Sequence, residues 1–222
     1  HMMKNRFFRV HLHLLLRPGM DMTRRFLKYG GLVVCNETMW GMGTSVFPTI
    51  MGHMANSTEI LAAYTIAGNM EKITMVVSFG LASTASIIIG REIGAGRPDK
   101  VLDVGKALNT LACAGGVVLG VLMLAFVQFA APAWVYPLFK LSPGSAGVAS
   151  MMMVMMALAM PLKDFNSVNI TGVLRGGGDV KAATLVDIGP LWGVAIPFAA
   201  LCGLVLKTSV FWVYLAFPLE QA

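Results

Sequence analysis

Two carboxylates in this 222-residue chain sit where carboxylates are expensive. Glu37 falls in an apolar stretch from about Tyr29 to Met51, and Asp164 in another from Ala146 to Leu174. At a bilayer centre such a group costs roughly 2.5–3.5 kcal/mol on insertion scales, which makes it a functional candidate by default. At about 1.5 Å per helical residue, Glu37 lies about 14 Å past Lys28 and Asp164 about 16 Å before Arg175. Similar depth on two helices is what a cation or proton site needs. The alternative is two unrelated polar side chains, each hydrogen-bonded to a neighbouring helix. In low dielectric a carboxylate is costly as an anion, and a second one beside it more so, so a proton and Na⁺ are expected to compete for the pair. Asn36, Asn166 and Asn169 either add oxygens to a polar pocket or bridge helices. Asp187, about 9 Å in from Lys181, either anchors a helix near the inner face or joins that pocket. Lys163 is a local counter-charge candidate for Asp164. Glu71 and Lys72, about 30 Å from Arg91, are expected near the outer interface, where charge is cheap.

Other chemistries lack a constellation. Arg175-Gly176-Gly177-Gly178-Asp179 has no Lys-Ser/Thr and no βαβ setting, so it does not read as a phosphate loop. There is no HExxH and no GxSxG, so no enzyme is expected. Cys35, Cys113 and Cys202 are far apart in apolar runs, which predicts buried thiols rather than a disulfide or zinc site. Met151, Met152, Met153, Met155 and Met156 crowd one stretch. They predict core or lipid-facing packing or, at Met152, Met155 and Met156, the adaptable wall of a drug cavity.

These residues need elements that hold them in lipid. Hydrophobic residues make up 56% and charged residues 13% of the chain, against roughly 25% charged in soluble domains, and the mean hydropathy is +0.71. An all-α membrane protein follows. Six apolar spans are expected, near 29–51, 60–90, 104–131, 146–174, 182–206 and 209–222, the last too short to cross. His1-Met2 reads as a cloning remnant and residues 1–28 as a basic cytoplasmic lead-in, followed by one six-helix unit over 29–222. The lead-in and the loops after the second and fourth spans hold thirteen of the 17 Lys and Arg, which predicts both termini cytoplasmic. The net charge of +6 is then topology information and contact with the lipid bilayer, not a nucleic-acid footprint. Pro48 is expected to end the first span, while Pro161, Pro190 and Pro197 interrupt later ones. Gly116 with Gly120, and Gly189 with Gly193, have the spacing of close helix packing.

Four strings carry a family resemblance. Asn36-Glu37-Thr38-Met39-Trp40-Gly41 resembles the start of the second lobe of a multidrug and toxic compound extrusion (MATE) transporter. Ile89-Gly90-Arg91-Glu92-Ile93-Gly94-Ala95-Gly96 is similar to the family's loop between its eighth and ninth helices. Gly172-Val173-Leu174-Arg175-Gly176-Gly177-Gly178-Asp179 resembles the loop after the tenth, and Asp187 with Leu191-Trp192-Gly193-Val194-Ala195-Ile196-Pro197 the eleventh helix. The resemblance runs from about Phe26 to Glu220 and implies export of drugs and amphipathic organic cations by exchange with Na⁺ or H⁺, in a plasma (inner) membrane. It places a coupling carboxylate at Glu37, and a second, which some members use, at Asp164. No cofactor beyond the coupling ion is implied. Because the family has two six-helix lobes, the chain is expected to be a C-terminal lobe whose partner is the missing N-terminal lobe or a second copy. The rival expectations are a non-transporting folding or interaction module and a half-transporter active only as a dimer.

Overall fold

The computed structural model describes residues 19–221, and all regular structure among them is helical. Six helical elements follow one another: α1 Met20–Gly52, α2 Ser57–Gly94, α3 Asp99–Leu138, α4 Pro143–Arg175, α5 Val180–Val205 and the short α6 Val210–Glu220. Four of them, α2 to α5, are long and apolar enough to cross a membrane. The middle of α1 is less apolar because Asn36, Glu37 and Thr38 sit there among glycines. The basic lead-in lies outside the described residues up to residue 18. Its last part is no separate segment, since α1 begins at Met20 and runs on without a break.

The loops gather at two ends. Residues 53–60, 144–148 and 203–210 line one common cavity of about 760 Å³. Gly90 lies against Gly176, and Ile93 against Gly177, at the other end. The helices therefore run alternately up and down. Each loop of the first end turns on a left-handed residue, Asn56, Lys140 or Lys207.

The outer shell is apolar. Val76, Ile87, Phe129, Trp134 and Leu185 are each more than 70% exposed, a surface that water solvates poorly and lipid solvates well. The main core joins all six elements through Phe47, Ala67, Met123, Met152, Leu191 and Tyr214. Toward the Arg175 end the core narrows to Ala82, Ala85, Ala112 and Val168.

Close approach explains two glycines. A Cβ on Gly116 would meet Pro161 Cα at 2.5 Å, and one on Gly120 would meet Ala157 O at 2.5 Å. This pair seats α3 against α4, as its spacing predicts. Gly189 and Gly193 have nothing within 4 Å of an added Cβ, so the same spacing on α5 does no packing.

Proline behaves differently from expectation at one place. Pro48 does not end α1, which continues to Gly52. Elsewhere the helices widen to π turns near prolines: Phe126–Val135 around Pro132, Leu191–Ala195 after Pro190 and Leu201–Val205 after Pro197. Proline removes a donor and crowds the preceding turn, and a π turn accommodates the disrupted ladder within a continuous helix. A further π segment, Val168–Arg175, closes α4.

Candidate functional site

The end of α4 meets α1 and α5 through Arg175. Its Nη1 donates to Glu37 Oε1 at 2.7 Å, and its Nη2 donates to Asp187 Oδ2 at 3.2 Å. Asn36 Nδ2 donates to the same Asp187 oxygen at 2.6 Å. Asn36 and Glu37 are successive on α1, so adjacent side chains diverge around the helix to reach partners on two elements. Asn36 is fully buried, whereas the Glu37 side chain is 56% exposed. Two carboxyl groups thus share one guanidinium, so with both ionised the cluster would carry one negative charge beyond what Arg175 offsets. Of the two, Glu37 is the one that reaches the surface. Asn36 Oδ1 is buried and has no hydrogen-bond partner among the described residues.

Asp164 stands in a second cluster between α2 and α4. It is fully buried, and Ser78 Oγ donates to its Oδ1. Its Oδ2 is buried without a partner among the described residues. An unpaired buried carboxylate is strongly disfavoured, so this position favours a bound proton or cation. Its donors, two carboxylate oxygens and a hydroxyl, are the hard oxygens that suit Na⁺, and the set fits that ion. Among the described residues no group of three His, Cys, Asp or Glu side chains converges as a denser metal site.

The expected local counter-charge is engaged elsewhere. Lys163 Nζ pairs with Glu71 on α2, not with Asp164. Glu71 lies twelve residues along α2 from Glu59, about 18 Å of helix, and Glu59 accepts from Ser142 Oγ at the loop end. Glu71 therefore sits well inside the bundle, which corrects its placement at the outer interface.

The two principal carboxylates occupy separate clusters. No hydrogen bond or ion pair links Glu37 to Asp164 among the described residues. The reason is the reach of Arg175, which extends to Glu37 instead of marking a boundary about 14 Å below it. Of the asparagines, Asn36 joins the Glu37 cluster. Asn166 Nδ2 donates to Gln221 O on the C-terminal side of α6 at 2.6 Å, and Asn169 Oδ1 accepts from Asn109 Nδ2 on α3 at 2.9 Å. Both bridge helices. Met152, Met155 and Met156 are buried in the main core, and Met156 also lines a small cavity beside Glu71 and Lys163. Arg175 and Ser78 are the contributors that the sequence reading missed. Ser78 had a signal: Glu71, Thr74 and Ser78 repeat at the spacing of one helix face.

Comparison with known proteins bears on this arrangement. A family model described as MatE matches residues 31–201. The chain is 28% identical over 216 residues to an uncharacterized transporter, YisQ, from Bacillus subtilis, a match covering 95% of this chain and 42% of that one. It is 29% identical over 178 residues to Protein DETOXIFICATION 18 of Arabidopsis thaliana, covering 79% of this chain and 35% of the relative. It is 26% identical over 207 residues to a probable multidrug resistance protein NorM of Bacillus cereus, covering 89% and 41%. The chain thus spans less than half the length of each of these relatives.

Proposed function

The chain belongs to the MatE family, and from that premise we propose that it forms the C-terminal half of a cation-coupled multidrug antiporter. It is a multi-pass membrane protein, with four helices long and apolar enough to span and relatives described as a transporter and a multidrug resistance protein. The reading takes the substrates to be drugs and amphipathic organic cations, and the coupling ion to be Na⁺ or H⁺. It takes the partner to be an N-terminal six-helix lobe or a second copy. It places the protein in the plasma or inner membrane with six spans and both termini cytoplasmic.

The observation that carries this reading is the charge imbalance at Arg175. Glu37 and Asp187 share one guanidinium, so the cluster is completed by one further positive charge. An exposed Glu37 exchanges that charge with the surroundings. Asp164, buried with an unpartnered oxygen, supplies a second uptake position deeper in the bundle. Arg175, Asn36 and Asp187 orient the first position, and Ser78 orients the second. No bond is made or broken, and no cofactor enters the reading.

The test pairs this chain with an N-terminal lobe from a relative and measures ethidium efflux against an imposed Na⁺ or proton gradient. Glu37→Gln is expected to abolish coupled efflux while leaving membrane insertion intact. Asp164→Asn is expected to weaken the Na⁺ dependence more than the proton dependence. Efflux by Glu37→Gln at the unsubstituted rate across roughly pH 6 to 8 would remove the residue from coupling.

A further inference from the structure

We propose that Lys163 determines which carboxylate of the α2–α4 seam is open to an external cation: by holding Glu71, it leaves Asp164 to take up Na⁺ or a proton. The inference rests on the reading of Asp164 as an uptake position and assigns its specificity to a neighbouring residue.

The seam is built from one stripe of α2 facing one turn of α4. Glu71, Thr74 and Ser78 fall on the same face of α2. Lys163 pairs with Glu71 and Ser78 with Asp164, so adjacent residues of α4 contact positions about two turns apart on one face of α2. The seam therefore contains two carboxylates and one ammonium. The ammonium is tethered to the backbone position next to Asp164, on a four-carbon stem that lets it change partners. Both side chains of the pair are largely sheltered, at 19% exposure for Lys163 and 25% for Glu71, so the Coulomb attraction is less screened than at a free surface.

The other charged groups around the pair do not replace Lys163. Lys72 and Glu220 line the adjoining cavity of about 390 Å³ with Glu71 and Tyr64, one of each sign. Tyr214 and Gln221 line the small cavity on the other side, and neither supplies a positive charge. Lys163 is thus the cation that divides the seam. While it stays on Glu71, Asp164 keeps an oxygen without a partner. Were Glu71 uncharged, Lys163 would become the counter-ion of Asp164 and exclude Na⁺ from it.

Equilibrium binding of radioactive sodium to the purified full chain in lipid nanodiscs tests this at fixed pH. Glu71→Gln is expected to weaken Na⁺ binding about tenfold or more, since it frees Lys163 to occupy Asp164. Lys163→Met is expected to strengthen binding, because two carboxylates then lack a counter-charge. The double substitution Glu71→Gln/Lys163→Met is expected to return to within about threefold of the unsubstituted chain. A pair that served only to hold α2 against α4 would instead weaken binding in all three, and that result overturns the proposal. So does unchanged affinity in Glu71→Gln, or absence of Na⁺ binding in every form. Lys163→Arg, which keeps the charge, is expected to bind like the unsubstituted chain, and helical circular dichroism checks that each variant is folded. Asp164→Asn separates the two inferences: unchanged binding there removes Asp164 itself, whereas its loss together with an unaffected Glu71→Gln removes only the role of Lys163.

Discussion

Arg175 joins three helices with one side chain, and its geometry makes lysine an unequal substitute. The guanidinium forks to Glu37 and Asp187 at once, which a single ammonium on a flexible stem does less well. Arg175→Met should lower stability in detergent by about 1–3 kcal/mol, since it leaves Asp187 half-sheltered with only Asn36 as donor. Arg175→Lys should recover part of that loss, and Asp187→Asn should cost less than Arg175→Met because its amide oxygen still accepts from Asn36. Thermal unfolding followed by circular dichroism ranks the three. At this scale the sequence was half legible. Glu37 and Asp164 stood out because an apolar stretch makes any carboxylate conspicuous. Their partners did not, because Arg175 and Ser78 are unremarkable until three helices bring them together. Lys163 misled for the same reason: adjacency in sequence suggested Asp164, whereas the helix turns its ammonium toward Glu71.

Helices α3 and α4 meet along glycines that leave no room for a side chain. Gly120→Val should cost about 1–3 kcal/mol through overpacking against Ala157, whereas Gly193→Ala should be neutral or stabilise by up to about 1 kcal/mol through helix propensity. The same unfolding measurement distinguishes them, and equal losses would mean that the α3–α4 contact is not the tight one. Nothing in the two Gly-xxx-Gly strings separates them, because the spacing reports the face a glycine shares and not what lies opposite. The last helix depends on α4 too. Asn166 holds the carbonyl of Gln221, so Asn166→Ala should speed amide exchange at residues 216–221 without changing it in α4. Helix bounds were more legible than contacts: the apolar runs lie within a few residues of α2, α4 and α5, since hydrophobic length is a local property. Pro48 shows the limit, because the bundle keeps α1 helical past it.

The whole molecule presents an apolar girdle and two unlike ends. Seven residues after the first described helix, Glu59 already marks the end that carries Asn56, through Ser142 and Gly144, while Arg91, Arg97 and Lys181 collect at the Arg175 end. With a single cysteine at position 100 or 140 of a Cys-free chain, an impermeant thiol reagent added outside intact cells should label position 140 and spare position 100. The opposite pattern would invert the topology. Transporters built from repeats work by moving one against the other around a shared site. Strictly monomeric chain in proteoliposomes should therefore show no ethidium efflux above empty liposomes, and efflux by a verified monomer would refute the need for a partner. Class and membrane setting were the most legible features, because they depend on totals: few charges, many apolar residues and an alternation of basic loops. The clusters were the least, because they depend on which faces meet.

The π segment that closes α4 ends on Arg175 itself. A π turn is a register dislocation: it closes on i→i+5 hydrogen bonds and holds one residue more than the ladder around it. Shifting it along α4 would turn only the residues it passes, by about 100° around the axis. The last turns of α4 are in this sense a crank, and the guanidinium is its handle, fastened on one side to α1 and on the other to α5. Loss of the Arg175–Glu37 contact alone would unfasten the α1 side and leave the end of α4 pinned at Asp187.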